Sequence, residues 1–517
     1  MFTCGWYWTM RRVTTFISGC WRALTLLALA WLSPGCTTPP PEKTEVVIAL
    51  RGMPLTLVPH TKAENISFLV QTNLFEGLAG FDRDMKLVPL LAASWENPDA
   101  LTWLFRLRRG VTFHDGTPLS ADDVVFSVLR ARDDPASVLR SNCATIAAVT
   151  REGDHTVRIV TTRPHPILLQ KLRTVFILPR QLFERIGADA FARRPVGTGP
   201  YRFVAEVPGR EIRMAAHRGY WGGLPAFDTV RFVRFDTAAE VESLIRNREA
   251  DIAANVMSDV AASLTAHPVP GMRIIRQRSL MVRYLGLDTR VAPFDDLRVR
   301  RALALAVDRP ALVAKLLHGY GIPANQIVTP AVFGYHPDLP ALPYDPAAAR
   351  RLLAEAGYPD GVEPTLLAPQ TRAEIGDELR RQMAPAGIRL QLDLQARERF
   401  FPMSDTAPFF LLGASSTTGD ASDLYDDLIH SRSEHYGRDN PGRFENPEID
   451  RLIEGLNGYW SHKQRLAALQ DIMVRVMAEM PRVPLFFEDT IFVQSTELDH
   501  IPPVDSFLRA SDIRRRQ

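Results

Sequence analysis

Between residues 230 and 253 the sequence writes a strand, a helix and a second strand in direct succession. Val230-Arg231-Phe232-Val233-Arg234-Phe235 reads as the first strand. Asp236 and Thr237 open a helix carried by Val241, Leu244 and Ile245, and Asp251-Ile252-Ala253 begins the next strand. Strands joined through a helix lie parallel in a sheet that is covered on both faces, so this unit points to an α/β architecture. Glu45-Val46-Val47-Ile48-Ala49-Leu50 is apolar on both faces and reads as a central strand of such a sheet. At 517 residues the chain has room for roughly three domains or one large two-lobed body.

Other elements follow from spacing. Residues 66–80 read as one helix, with Phe68, Leu69, Thr72, Phe75 and Leu78 on a single face and Gly77 and Gly80 closing it. Trp103, Phe105 and Leu107 alternate with Arg106 and Arg108, the pattern of a half-buried strand. Arg109-Gly110 turns the chain, and residues 111–114 read as the returning strand of a hairpin. Ser120 and Asp123 form a capping box for a helix through Val124, Val125, Val128 and Leu129. Residues 273–275 and 282–287 read as two successive strands, residues 413–423 as a loop, residues 465–480 as a long helix, and residues 484–493 as the last clear strand.

The N-terminal segment reads as a processing signal. Arg11 and Arg12 precede an apolar run over residues 23–32, followed by Ser33-Pro34-Gly35-Cys36 and a Thr/Pro-rich stretch. The run is shorter than the ~18 apolar residues that span a bilayer, but it suits a signal-peptide core. The expected division is a signal peptide over residues 1–36 and a tether over residues 37–44, with Met1 and Met10 both open as the start. Without residues 1–36, which carry three Arg and no acid, the net charge falls from +2 to −1. Cys143 is then the single cysteine of the mature body beyond Cys36, so no internal disulfide and no cysteine-based zinc site is expected.

Composition and motifs exclude several function classes. A charge this close to zero offers no field for a nucleic-acid backbone. Gly197 and Gly199 are not followed by the Lys-Ser or Lys-Thr of a phosphate loop, and Gly413-Ala414-Ser415-Ser416-Thr417 lacks the second glycine of a nucleophile elbow. His430 and His435 would point about 140° apart on a helix, which is poor geometry for one metal. His114 beside Asp115 reads as a turn-stabilising residue. No catalytic residue, no metal and no cofactor is expected.

Three groups of motifs carry a resemblance. The first is Leu87-Val88-Pro89-Leu90-Leu91-Ala92-Ala93-Ser94-Trp95 and Phe105-Arg106-Leu107-Arg108-Arg109-Gly110-Val111-Thr112-Phe113-His114-Asp115-Gly116-Thr117-Pro118. The second is Gly197-Thr198-Gly199-Pro200-Tyr201, Tyr220-Trp221 and Ala250-Asp251-Ile252. The third is Asp296-Leu297-Arg298-Val299-Arg300-Arg301-Ala302, Ala356-Gly357-Tyr358 and Asn446-Pro447-Glu448-Ile449-Asp450. In this order, across residues 45–495, they resemble the bacterial extracellular solute-binding proteins of family 5, the oligopeptide-, dipeptide- and nickel-type binding proteins of ABC importers. The N-terminus resembles a lipoprotein signal. Cys36 is the implied lipidation site, although Ser33 stands where that pattern favours Leu, and Ile17-Ser18-Gly19-Cys20 matches it better by letter.

The resemblance implies a type II periplasmic-binding-protein fold: two α/β lobes joined by two hinge strands, with an extra domain inserted in the first lobe. The implied boundaries are residues 45–87, 195–278 and 488–517 for the first lobe, 88–194 for the inserted domain and 279–487 for the second lobe. The implied function is extracytoplasmic capture of a peptide-like or other small solute by hinge closure, for delivery to an inner-membrane ABC permease. A lipid-anchored monomer at the periplasmic face of the membrane is expected. A non-transport sensor or interaction lipoprotein on the same fold is the alternative.

Candidate ligand contacts are Asn73, Glu76 and Thr198 in the first lobe, and Ser415, Ser416, Thr417, Thr418 and Asp420 in the loop after residue 413. In peptide binders of the family this loop carries Trp, and three residues later an Asp that receives the ligand's α-ammonium. Here those positions are Ala414 and Thr417. A neutral hydroxyl does not replace a charge-assisted bond. Asp420, Asp423 and Glu76 stand as alternative acids, peptide and non-peptide solutes both remain open, and Thr417→Asp is expected to move the cleft toward peptides.

Overall fold

The computed structural model describes residues 44–62 and 64–516; the signal segment, Cys36 and all of the tether but Thr44 lie outside them. The body from Thr44 onward is built on an eleven-stranded mixed sheet. Glu45–Leu50 lies at the centre of a parallel trio, between Thr229–Arg234 and Ile252–Ala253. The last two are joined by the helix Ala238–Arg246, whose N-terminus is closed by a Thr237–Glu240 capping box. Val46, Ile48 and Leu50 pack on one face of the sheet and Ala49 on the other, all essentially inaccessible, as a parallel strand requires.

Two long strands dominate the middle of the sheet. Met272–Leu287 and Arg482–Ser495 pair antiparallel and run from one hydrophobic core to another. The first core gathers Val46, Ile48, Phe232, Ile252 and Phe492. The second gathers Leu285, Leu287, Leu366, Phe409, Val483 and Leu485. Between Arg278 and Val282 the register slips. There Ser279 Oγ donates to the Glu488 carbonyl at 2.5 Å, Arg283 pairs with Glu488 at 2.6 Å, and Arg276 and Arg278 both reach Asp489. The sequence reading split this strand in two because Arg276, Gln277, Arg278 and Ser279 are polar. They lie on the stretch between the two cores, where Arg276 and Arg278 are exposed and Gln277 and Ser279 half-buried.

A separate four-stranded antiparallel sheet holds Ala92–Asp99, Thr102–Leu107, Thr156–Thr161 and Ile146–Gly153. The helix Ala121–Asp133 packs Val124 and Val128 on it, and its Ser120–Asp123 capping box is formed. The expected hairpin is not: Thr102–Leu107 pairs with the strands on either side of it in the sheet, while residues 111–118 fold into a tight loop closed by Phe113 N–H to the Thr117 carbonyl at 2.8 Å.

The expected helix over residues 66–80 is also shorter. It spans Asn65–Gln71, and Ala79–Phe81 is a strand. The Thr72 hydroxyl returns to the Leu69 carbonyl at 2.8 Å. Asn73 donates to the carbonyls of Leu69 and Leu508, and its Oδ1 accepts the Ala510 N–H at 2.7 Å. The backbone beyond is taken by Gly199 and Tyr201, whose N–H groups reach the carbonyls of Leu74 and Asn73. A Cβ on Gly197 would stand 2.1 Å from the Leu74 carbonyl oxygen, which is why glycine occupies that turn. His114 fastens the same turn, accepting from Gly197 N–H at 3.1 Å and meeting the Gly199 carbonyl at 3.0 Å. No helix among the described residues is long and apolar enough to cross a membrane.

Candidate functional site

A cavity of about 1310 Å³ lies where the two cores face each other, with Phe68, Leu139 and Phe507 on one side and Tyr284, Leu424 and Tyr436 on the other. The strand Phe409–Ser415 delivers the chain to it, and residues 416–423 turn beside it. Gly419 sits at φ +71°, a left-handed conformation that suits glycine, and its N–H reaches the Ser416 hydroxyl at 3.0 Å.

Asp423 organises this turn. Its Oδ2 accepts the N–H groups of Thr417 (2.8 Å) and Thr418 (3.0 Å) and the hydroxyls of Ser416 (3.2 Å) and Thr417 (3.3 Å). Its other oxygen, Oδ1, is buried and accepts nothing. The residue lines the cavity and is 4% exposed. A buried carboxylate oxygen without a donor is costly unless something supplies one.

The expected contacts divide accordingly. Ser415, Ser416 and Thr417 line the cavity; Thr418 is buried behind them. Asp420, 3% exposed, is gripped in two-pronged fashion by Arg465 at 2.8 and 2.9 Å, so its carboxylate is already neutralised. Asn73 is fully buried and saturated by backbone, and Thr198 is fully buried outside the lining. Asn73 and Asp420 are turned inward and held by the fold, whereas the buried Thr198 hydroxyl has no hydrogen-bond partner among the described residues.

Glu76 faces a different space, a chamber of about 330 Å³ that shares Arg173, Thr174, Asp505 and Phe507 with the main cavity. It accepts from Tyr220 Oη at 2.8 Å and from Trp221 Nε1 at 3.0 Å. Burial pushes its carboxyl up to about 7, against the pull of those two donors. A raised acid is neutral in the fold while the unfolded chain ionises, so stability falls as pH rises from the ordinary carboxylate range toward 7. The loss amounts to about 3 kcal/mol. Urea unfolding of Glu76→Gln at about pH 4 and about pH 8 is expected to lose that slope relative to the unaltered protein. Parallel pH profiles would show that Glu76 does not titrate in this range.

Several charged groups at the cavity were not anticipated. Arg173 pairs with Asp505 at 2.8 Å and donates from Nε to the Thr417 carbonyl at 2.9 Å, joining the first core's side to the loop of the second. Arg438 reaches Asp427 at 3.2 Å and Ser141 Oγ at 3.0 Å. Burial raises the Asp426 carboxyl to about 7; Lys171 and Arg163 oppose the shift, while Asp427 and Asp423 reinforce it. His165 is held down to about 3 by burial and then by Lys171 and Arg163. The spacing of Asp423, Asp426 and Asp427 on one helical turn was the available signal for this wall.

Comparison with known proteins places this geometry. The sequence profile described as "Bacterial extracellular solute-binding proteins, family 5 Middle" matches residues 86–435. The glutathione-binding protein GsiB of Escherichia coli O1:K1 / APEC is 31% identical over 473 residues, covering 88% of this chain and 91% of that protein. Among solved structures, the periplasmic binding protein DppA from Helicobacter pylori in complex with a peptide superposes with a TM-score of 0.79 at 21% identity, covering 92% of this chain and 98% of that one. NikZ from Campylobacter jejuni in complex with Ni(L-His) gives 0.79 at 22% identity, covering 92% and 100%. The fold is therefore the type II periplasmic-binding-protein fold, and the chain belongs to the bacterial extracellular solute-binding proteins, family 5, the extracytoplasmic solute-capturing components of ABC importers.

Proposed function

We propose that this protein captures a peptide-like zwitterion, of the class that includes glutathione and short peptides, and delivers it to an ABC permease without chemical change. The observation that carries the reading is the buried, unpartnered Oδ1 of Asp423 at the cavity wall. It supplies the acid that Thr417 lacks, at a position fixed by the same loop, and an ammonium is its natural partner. The departures at Ala414 and Thr417, which motivated the sensor alternative, are thereby compensated within the loop.

Closure is assigned to rotation about the two long strands, with the lobes dividing at residues 278/279 and 487/488 and the inserted domain spanning 88–194. Trp103 of the inserted domain and Trp460 of the second lobe lie with ring centroids 5.9 Å apart, so their fluorescence reports closure. A ligand at a hundredfold excess over Kd adds about 2.7 kcal/mol of stability. Calorimetry and melting with glutathione, a mixed di- to pentapeptide pool and nickel–histidine test the reading. Peptide-like ligands are expected to raise the melting temperature, change the indole emission and compact the particle in scattering; binding of nickel–histidine alone would overturn it.

Anchoring is assigned to a lipid on Cys36, which holds a monomer at the periplasmic face of the membrane. Cys36→Ser is expected to yield unprocessed or released protein in membrane fractionation. Processed protein that still sediments with membranes would refute the anchor.

A further inference from the structure

Several side chains cross from the first core's side of the main cavity to the second's. Arg438 donates to Ser141 Oγ at 3.0 Å, the Arg163 guanidinium stands 5.1 Å from the Tyr436 ring centroid, and Trp103 faces Trp460. The Arg438 side chain is 57% exposed and Trp460 is exposed as well, so water competes for both contacts. Arg173 makes the buried crossing: its side chain is 7% exposed, and that of its partner Asp505 is 3% exposed. Nη1 donates to Asp505 Oδ2 at 2.8 Å, and the guanidinium lies over the rings of Phe507 and Phe81, at 4.7 and 5.0 Å from their centroids. These three residues fix it from the first core's side. Nε then donates to the Thr417 carbonyl at 2.9 Å.

That carbonyl is fixed just as firmly from the other side. The peptide group between Thr417 and Thr418 is planar, with its N–H and C=O pointing opposite ways. Asp423 Oδ2 accepts the Thr418 N–H at 3.0 Å, so the carboxylate holds one end of the peptide group and Arg173 the other. Each partner is set within its own half of the molecule before the two meet. Little side-chain or loop freedom is lost when they do, and the bond is charge-assisted and buried.

We propose that Arg173 is a positioning residue that clasps the closed cleft: through the Thr417 carbonyl it holds the solute loop of the second lobe against the first, and so sets how long any solute is retained without choosing among solutes. The inference rests on the hinge-closure part of the function above and assigns the strength of closure to one side chain. Apparent affinity scales with the fraction of protein in the binding-competent form. A bond made whichever solute is enclosed therefore multiplies every affinity by the same factor. It acts on the dissociation rate, because it breaks before the lobes part. Selectivity belongs to the groups that line the cavity, and retention to Arg173.

Two variants separate the clasp from the ion pair. Arg173→Lys keeps a cation for Asp505 but removes the fixed Nε–H. Arg173→Met combined with Asp505→Asn leaves no buried charge unpaired, and the amide oxygen still accepts the Phe507 N–H that Asp505 accepts now. Each is checked by its melting temperature without solute. Glutathione, penta-alanine and nickel–histidine are then measured by calorimetry and by stopped-flow indole emission. Every one of them that binds the unaltered protein is expected to lose about 10- to 100-fold in affinity in both variants, by the same factor and through faster dissociation. A loss confined to one solute would make Arg173 a contact of that solute, and unchanged dissociation would leave it a structural partner of Asp505; either result overturns the clasp and leaves the function standing. If nickel–histidine alone binds and dissociates faster from the variants, the clasp holds and the peptide-like reading falls. If none of the three binds, the scattering radius of the solute-free protein decides: a larger radius in both variants supports the clasp, and an equal one overturns it.

Discussion

Replacing Arg465 by methionine is expected to destabilise the protein by about 3–5 kcal/mol and to abolish ligand binding with it. Arg465 is 6% exposed and holds both oxygens of Asp420, the Leu456 carbonyl at 2.8 Å and the Ser422 hydroxyl at 2.8 Å. Removing the guanidinium leaves a carboxylate buried with no cation and a carbonyl without its donor. Asp420 lies at the end of the turn that presents Ser416 and Thr417 to the cavity, so the damage reaches the site directly. The pair Asp420→Leu with Arg465→Met removes both charges and is expected to recover most of the loss, because the desolvation cost falls on an unpaired ion far more than on an absent one. Chemical denaturation of both single variants and the double variant measures this coupling. Strictly additive losses would show that the two residues act independently.

Locally decided features were legible in the sequence. The capping box at Ser120–Asp123 is present as the spacing demanded, and the helix expected to open at Thr237 does so, with a Thr237–Glu240 box closing its N-terminus. So are the aspartates at the starts of Arg309–Leu316 and Pro346–Glu355, each accepting the N–H three residues on. Features decided by distant residues were not. The helix expected over residues 66–80 stops after Gln71, as Thr72 folds back on it and Asn73 finds Leu508 and Ala510 more than 430 residues away. Asp420 and Asp423 are indistinguishable by sequence, three positions apart on a polar loop. Arg465, 45 residues downstream, turns one into a structural anchor and leaves the other in the cavity wall with an oxygen that no donor among the described residues reaches.

That division also changes what a substitution at Thr417 is expected to do. Thr417 already gives its N–H and hydroxyl to Asp423, and its carbonyl accepts from Arg173. A carboxylate at position 417 would stand against the one at 423, so Thr417→Asp is expected to disorder the loop rather than equip it for peptides, a reversal of what the sequence pattern alone implies.

The sharpest consequence falls on Asp423 itself. Asp423→Asn is expected to weaken binding of any ligand with a free ammonium by about 2–5 kcal/mol, or roughly 30- to several thousand-fold. The amide oxygen can still accept from Thr417 and Thr418, so the turn keeps its hydrogen bonds. The amide nitrogen then replaces the unpartnered Oδ1, and a buried acceptor in the cavity wall becomes a donor. An ammonium then meets a group it cannot bond. The same ligand with its amine acetylated never formed that bond, and its weak affinity is expected to be the same for both proteins. Calorimetry with the amine and its acetylated form on both proteins gives a double-mutant cycle whose coupling energy is the worth of the ammonium–carboxylate pair. A coupling near zero, with Asp423→Asn binding the free amine as tightly as the unaltered protein does, would move the ammonium elsewhere in the cleft and leave Asp423 as a loop-forming residue alone.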